Sequence, residues 1–335
     1  MMGLRLSDPR ILLLTTAAIL LLLSILVPSV PRERQSYELL AVLDITGSMN
    51  TRDYVANDKP ISRLEFAKLA LRGLLQSLPC PSRLGLAIFS ERQPFLLFEP
   101  IDVCADFSPV DAAIAGLDWR MAWEGDSHIA AGLYRSIAMA KDLNADVIFI
   151  TDGQEAPPLP WSGGPPFEGK RSEVGGLIIG AGNYALSPIP KFDDNGREVG
   201  FYGAEDVPHE NRFGLPPPGA ENREGYNPRN APFGSTRVLG TEHLSSVREP
   251  YLKELANITG LTYRHFARLP DLVAAVKEAA MPRPRAGHLD LRPWFITAVL
   301  VCLACLYLVL PIAERWRSLR ERRLLHLSTL KRRLS

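Results

Sequence analysis

The chain has 335 residues, 46% of them hydrophobic and 22% charged, with a formal net charge of +1 and a mean hydropathy of zero. A collagen-like or wholly disordered chain is excluded by that composition, yet the averages conceal an uneven distribution. Residues 294–335 carry eight Arg or Lys against Glu314 and Glu321, a net +6, which leaves residues 31–293 at −6 and argues against a nucleic-acid partner for that stretch.

Ile11 to Val27 is Leu-rich and uncharged, close to the ~20 apolar residues that cross a bilayer. Arg5 and Arg10 precede it, and Pro28-Ser29-Val30-Pro31 follows without a small-residue cleavage signal. Those flanks fit an uncleaved anchor over 11–30, with a cleaved signal peptide as the alternative. Tyr37 to Leu43 is mostly apolar and ends at Asp44, the pattern of a buried strand. Ser62 and Glu65 form a capping box ahead of Phe66, Leu69, Leu74 and Leu75, predicting a helix over Ser62 to Ser77. Leu84 to Phe89 and Phe95 to Phe98 read as strands across a turn at Arg92-Gln93.

That hairpin would bring Cys80 and Cys104 to neighbouring ends, and they are the only cysteines in the acidic stretch. An oxidising compartment would let them pair, which the chain-entropy estimate values at roughly 3 kcal/mol. Ser108 as cap with Pro109 in the first turn opens another helix, Ala130 to Leu143 gives a third, and Asp146 to Ile150 is a strand ending at Thr151-Asp152-Gly153. Beyond a Pro- and Gly-rich run to Gly169, Gly176 to Ile179 is one more buried strand.

Residues 183–235 form an insertion dominated by Pro, Asn and Gly. Within it Asp193-Asp194-Asn195-Gly196 reads as a turn between short strands, Ile189 to Phe192 and Val199 to Tyr202, and lacks the spaced acids and final Glu of an EF-hand loop. A helix over Pro250 to Ile258 stopped by Gly260, a strand over Leu261 to His265 and a helix over Leu269 to Ala280 complete the pattern. Strands alternating with helices predict an α/β fold with a doubly wound, mostly parallel sheet.

Trp294 to Ile312 is a second uncharged apolar segment, in which Cys302 and Cys305 read as small packing residues rather than a redox or metal pair. Arg315, Arg317, Arg320, Arg322, Arg323, Lys331, Arg332 and Arg333 follow it, which by the positive-inside rule sets the C-terminus in the cytoplasm. This tail suits a helix on anionic headgroups or a docking helix for a cytoplasmic partner. The expected organisation is a bacterial inner-membrane protein. It has a cytoplasmic N-terminus (1–10), an anchor (11–30), a periplasmic domain (37–280), a transmembrane helix (294–312) and a basic cytoplasmic tail (313–335).

Asp44-Ile45-Thr46-Gly47-Ser48 follows the first strand, Ser127 precedes a helix and Asp152 ends a later strand. Beyond the carboxyl ends of a doubly wound sheet such segments converge. Two carboxylates and three hydroxyls make an all-oxygen set for a hard divalent cation, with Gly47 expected to permit a tight turn.

This pattern resembles the metal-ion-dependent adhesion site of the von Willebrand factor A domain, D-x-S-x-S, then Thr, then Asp; here Thr46 replaces Ser and Ser127 replaces Thr. The resemblance covers about Tyr37 to Ala280. It implies that Thr46, Ser48 and Ser127 ligate the ion directly while Asp44 and Asp152 hold it partly through water. It also implies Mg²⁺ first, with Ca²⁺ or Mn²⁺ as alternatives, and an open position filled by an Asp or Glu of a protein client.

Ser187-Pro188-Ile189-Pro190, Asp193-Asp194-Asn195-Gly196, and Tyr251-Leu252-Lys253-Glu254-Leu255-Ala256 before Thr259-Gly260 resemble membrane-anchored bacterial von Willebrand A proteins encoded beside MoxR-type AAA+ ATPases. With two anchors and a Pro-rich insertion, the chain is similar to the MxaL-like accessory proteins of methanol oxidation. That resemblance implies an assembly factor for a periplasmic enzyme, such as calcium insertion into a quinoprotein methanol dehydrogenase. Other membrane von Willebrand A proteins and a cytoplasmic AAA+ ATPase would be its partners.

A general envelope-stress or adhesion module is the alternative, and a metallohydrolase a third reading. His128 beside Ser127 is the tempting base for hydrolysis but reads better as a first-turn residue of the next helix, and His209, His243, His265, His288 and His326 lack paired ligand spacing. Gly180-Ala181-Gly182 reads as a strand-end turn. No catalytic residue is assigned, and the expected activity is binding rather than catalysis.

Overall fold

The computed structural model describes residues 8–123, 125–159, 163–207, 240–266 and 269–316. Arg5, His209, His326, insertion residues 208–235 and tail residues 317–335 of the sequence reading lie outside them. The chain divides into two compact units, residues 34–285 and a second made of 1–33 with 286–335.

In chain order the elements are α1 (Pro9–Leu26), β1 (Ser29–Ser36), β2 (Glu38–Asp44), β3 (Tyr54–Ala56), β4 (Lys59–Ile61) and α2 (Arg63–Ser77). Next come β5 (Arg83–Ser90), β6 (Gln93–Asp102), α3 (Phe107–Ala115), α4 (Ile129–Asp142), β7 (Asp146–Thr151) and β8 (Gly176–Gly180). The insertion supplies β9 (Ser187–Pro188), β10 (Pro190–Phe192) and β11 (Glu198–Phe201), and β12 (Leu244–Ser245) follows on the chain returning from it. The chain finishes with α5 (Glu249–Thr259), β13 (Thr262–His265), α6 (Leu269–Ala279), β14 (Arg283–Asp290) and α7 (Arg292–Ala304), which continues through a π-helical turn to Trp316.

Six strands form the central sheet in the order β13-β8-β7-β2-β5-β6. All neighbours are parallel except β5 and β6, as the doubly wound pattern predicts. Helices cover both faces, which is why the strands read as near-continuous apolar runs. Alternate residues of β2 serve opposite faces: Leu39, Ala41 and Leu43 pack with α2, α3 and α6, while Leu40 and Val42 pack with α4 and α5. The predicted Ser62 cap accepts a hydrogen bond from the Glu65 amide at 3.1 Å, but the Glu65 carboxylate turns to Lys68 at 2.7 Å instead of completing a capping box. Gly260 ends α5 in the left-handed region at φ +81°, as expected.

Several local expectations are corrected. The β5–β6 turn is Glu91-Arg92, with Ser90 paired to Gln93, and β6 extends to Asp102. Its outer positions alternate between covered and exposed, so its apolar signal is diluted. Asp106, not Ser108, occupies the cap position of α3. Gly47 lies in a short 3₁₀ turn, Gly47–Asn50, outside the positive-φ glycines, with open space where a Cβ would stand; the turn makes no conformational demand for glycine. The pairs β1–β14, β3–β4 and β9–β12 carry too little apolar periodicity to be read from sequence. Cys80 and Cys104 form a disulfide with Cα atoms 5.9 Å apart, set by the pairing of Arg83 with Asp102 at the hairpin's base.

The second unit contains an antiparallel helical hairpin. Arg10 pairs with Glu314 at 2.7 Å at one end, and the Leu291 amide reaches the Pro28 carbonyl at 2.9 Å at the other. Both helices are long and apolar enough to cross a membrane, and only 6% and 11% of their apolar windows are buried. Ala17, Val299 and Leu306 are the buried apolar residues of this hairpin among those described.

Gly176 begins β8 at φ +121°, where a Cβ would collide with the Val147 carbonyl. Gly176→Ala is therefore expected to abolish the cooperative thermal transition followed by circular dichroism in detergent. Ser62→Ala, which removes one cap, should keep the transition and cost about 1 kcal/mol, about 2–4 °C.

Candidate functional site

The carboxyl edge of the sheet collects three loops, those after β2, before α4 and after β7. Asp44, the last residue of β2, is fully buried. Its Oδ1 accepts from the Thr46 amide at 2.9 Å and the Thr46 hydroxyl at 2.7 Å, and its Oδ2 accepts from the Thr151 hydroxyl at 2.6 Å. Every one of these donors is neutral. Burial, reinforced by the charge of Asp152, pushes the Asp44 carboxyl up to about 7 despite those hydrogen bonds.

Asp152 is equally buried but is held by a cation. Its Oδ2 accepts from Arg63 Nη1 at 2.7 Å and from the Ser245 hydroxyl at 2.9 Å, and its Oδ1 from the Gln154 amide at 3.0 Å. Arg63 is 0% exposed and also grips Asp53, with Nη2 to Oδ2 at 2.7 Å and Nε to Oδ1 at 3.1 Å. Its Nη1 and Nη2 reach the Ser245 hydroxyl and carbonyl at 2.6 and 3.2 Å. One guanidinium thus links the start of α2, the loop after β7 and the returning strand of the insertion.

Ser127 is set by a two-way bridge to Ala156, with N to O distances of 2.6 and 2.8 Å. It is 3% exposed, and its hydroxyl is a buried group with no hydrogen-bond partner. Glu155 fixes the same corner from the other side: its Oε1 accepts from the Ala130 amide in the first turn of α4 at 3.0 Å and from the Tyr251 hydroxyl at 2.5 Å. Burial raises the Glu155 carboxyl above its ordinary range. His128 occupies the cap position of α4, one residue ahead of the first turn in which the sequence placed it. Burial, and then the Arg92 guanidinium, lower its imidazole below the usual value.

Thr46, Ser48 and Ser127 line one cavity of about 610 Å³, with Asp44 beneath Thr46 and Asp152 following Thr151. The five sequence-predicted residues therefore meet at one edge, although Thr46 spends its hydroxyl on Asp44 and Asp152 is engaged by Arg63. Among the described residues no group of three or more His, Cys, Asp or Glu is arranged to hold a metal, so any ion here would depend on hydroxyls. The unpartnered Ser127 hydroxyl, Ser48 on the cavity wall and a buried Asp44 without a charged partner fit a hard cation. Arg63, Asp53, Glu155 and Ser245 escaped the sequence reading. The one signal was Arg63 directly after a helix cap, a position from which a short first turn can point inward.

Residues 39–154 match the family model of the von Willebrand factor type A domain, and the fold is the von Willebrand A fold with a mostly parallel central sheet. Among solved structures the chain is similar to an aerotolerance-related membrane protein from Bacteroides fragilis NCTC 9343, at 15% identity and a TM-score of 0.45, covering 72% of this chain and 97% of that one. It is similar in the same degree to the conserved hypothetical protein BatB from Bacteroides thetaiotaomicron, at 15% identity and a TM-score of 0.45, covering 72% and 98%. No curated protein matches the chain.

Two outcomes test this geometry. Arg63→Met leaves Asp53 and Asp152 buried without their cation and should cost roughly 3–5 kcal/mol in chemical denaturation. Asp44 has a folded-state pKa above its ordinary 3.8, so the native state retains a proton that the unfolded chain has released. Stability of the cation-free protein should therefore fall as pH rises from about 4 to about 7 and level off above. Thermal unfolding in EDTA should show that slope in the wild type and lose it in Asp44→Asn.

Proposed function

We propose that the protein is a membrane-anchored binding module that engages an acidic residue of a client protein through a divalent cation. The observation that carries this reading is the buried, unpartnered Ser127 hydroxyl on the same cavity wall as Ser48, beside a buried Asp44 that only neutral groups hold. Leaving such a polar group unsatisfied costs free energy, and a cation-ligating role accounts for its persistence. Asp44, Ser48 and Ser127 would hold the ion, with Thr46 sharing its hydroxyl. Asp152 would contribute through the Arg63 network. When bound, the ion supplies positive charge at the bottom of the cavity. Mg²⁺ is the first candidate, and Ca²⁺ or Mn²⁺ the alternatives.

The two apolar helices, mostly uncovered by the rest of the chain, support membrane anchoring. The excess of Arg and Lys after residue 313 favours a cytoplasmic C-terminus. The Arg10–Glu314 pair sets residue 10 at the same end of the hairpin as residue 314, which supports a reading with both termini cytoplasmic and the domain periplasmic. An assembly role follows from this placement. A quinoprotein under maturation, with an AAA+ ATPase acting through the tail, is one candidate client system and rests on sequence resemblance alone. The reading is of a binding protein: His128, which lines the same cavity, lies against Arg92 at 3.4 Å.

Affinity capture of the detergent-extracted protein with Mg²⁺, against EDTA, provides the test. Ser127→Ala removes an unpartnered hydroxyl, so its melting temperature in EDTA should equal or exceed that of the wild type. Its Mg²⁺-dependent thermal shift and client recovery should fall at least tenfold. Client capture that is indifferent to EDTA and to Ser127→Ala would sink the reading.

A further inference from the structure

The cavity over the hydroxyl shelf is much larger than a single carboxylate requires. At about 610 Å³ it lies in the size range of ligand pockets, roughly 300–1,000 Å³. Beyond Thr46, Ser48 and Ser127, an apolar wall is formed by Pro157, Pro158, Ile189, Tyr202 and Val207. The two prolines come from the loop after β7, and the other three residues flank the β10–β11 hairpin of the insertion.

That wall is held in place. The Tyr202 amide donates to the Ile189 carbonyl at 3.0 Å and closes the open end of the hairpin. Trp119 stacks on Phe192 with ring centroids 4.3 Å apart, and Arg52 pairs with Glu198 of the hairpin's second strand. The β9–β12 ladder fixes the entry to the hairpin, with Leu244 opposite Pro188. Gln154 Nε2 donates to the Glu242 carbonyl at 2.8 Å, tying the returning chain to the loop after β7.

Charge decides what can stand beside the acid. The rim carries Asp126 and Glu242, together with Asp206, whose carboxylate is paired with Lys191 at 2.7 Å, an ammonium that also lies 5.7 Å from the Tyr202 ring centroid. The rim's guanidinium, Arg92, is engaged by Glu91 at 3.2 Å and lies against His128. A second acid next to the first would face those carboxylates, whereas an apolar side chain would lose water against Tyr202, Val207 and Pro158.

We propose that the pocket recognises an extended client segment in which an acidic residue is adjacent to a bulky apolar one, the acid at the hydroxyl shelf and the apolar side chain on the insertion wall. This rests on the cation-assisted reading of the shelf. Burial of one large apolar side chain is expected to tighten binding about 10- to 100-fold.

The test uses the full-length protein in detergent with millimolar MgCl₂ and fluorescein-labelled hexapeptides that differ only at a central pair: Asp-Gly, Asp-Phe, Phe-Asp and Asn-Phe. Fluorescence anisotropy should show at least one of the two acid-plus-Phe peptides binding about 10- to 100-fold tighter than Asp-Gly, with Asn-Phe weak and EDTA abolishing the signal. The double variant Tyr202→Ser, Val207→Ser should erase the advantage of Phe while Asp-Gly binding stays unchanged. Unaltered melting would confirm that the fold is intact.

Equal binding of Asp-Gly and both acid-plus-Phe peptides, all lost in EDTA, would overturn the inference and leave the shelf reading standing. Asn-Phe binding as tightly as Asp-Phe would overturn it in favour of a purely apolar site. Binding by no peptide, or binding unmoved by EDTA, would overturn the inference and the shelf reading together.

Discussion

The site is organised by an unequal treatment of two buried carboxylates. Asp152 has a permanent cation in Arg63, and Asp44 has hydroxyl and amide donors alone. Breaking a buried ion pair from one side is far more damaging than never having built it. Arg63 is therefore bound to its place by Asp53, Asp152 and Ser245 at once. Through those contacts the start of α2, the loop after β7 and the exit of the insertion share one geometry. Asp44 is left with its carboxyl raised toward neutrality, the state expected of a buried acid that no cation compensates.

How much of this was legible in sequence follows from how local each cause is. The buried strands β2, β5, β7 and β8 declare themselves because both faces are covered and their central positions are apolar or glycine, with polar residues only at the ends. Ser62 and Gly260 declare helix ends because capping is local chemistry. The polar ribbon β1–β14, with Arg32, Glu33 and Arg34 in its first strand, carries no such signal, and β6 declares only its Phe95–Phe98 stretch because its ends mix polar and apolar residues. The site divides the same way. Asp44, Thr46, Ser48, Ser127 and Asp152 follow from their positions at strand and helix ends, where a doubly wound sheet gathers loops. Arg63 looks from sequence like an exposed first-turn residue. Its burial depends on Asp53 and Ser245 arriving from ten and 182 residues away, which no local pattern encodes.

The described part of the Pro-, Gly- and Asn-rich insertion is well anchored. Residues 187–207, and residues 240–248 beyond the insertion, are stitched to the domain. They are held by a stacked aromatic pair, an ion pair, a short ladder and the Ser245 contact to Asp152. Prolines that weaken regular strands also limit the freedom of the unfolded chain, so a few side-chain anchors suffice to place the hairpin. The aromatic anchor Trp119 lies in a short 3₁₀ turn ahead of α4, a segment whose apolar residue had no evident partner within its own neighbourhood.

These elements together account for how a carboxylate-poor shelf can be selective. Hydroxyl ligands hold a hard cation more weakly than a ring of acids would, because each contributes a dipole rather than a charge. On the proposed reading, neither the ion nor an acidic side chain is retained strongly alone, and the insertion wall adds an apolar contact that needs no further charge. Selectivity would then arise from the coincidence of three weak terms at one edge of the sheet: an ion held by the loops after β2 and before α4, a client acid on that ion, and an apolar contact from the insertion and the loop after β7. Arg63 keeps two of those segments, the loop after β7 and the insertion, in fixed register. On that reading, the buried guanidinium would make separate weak contacts act at the same place.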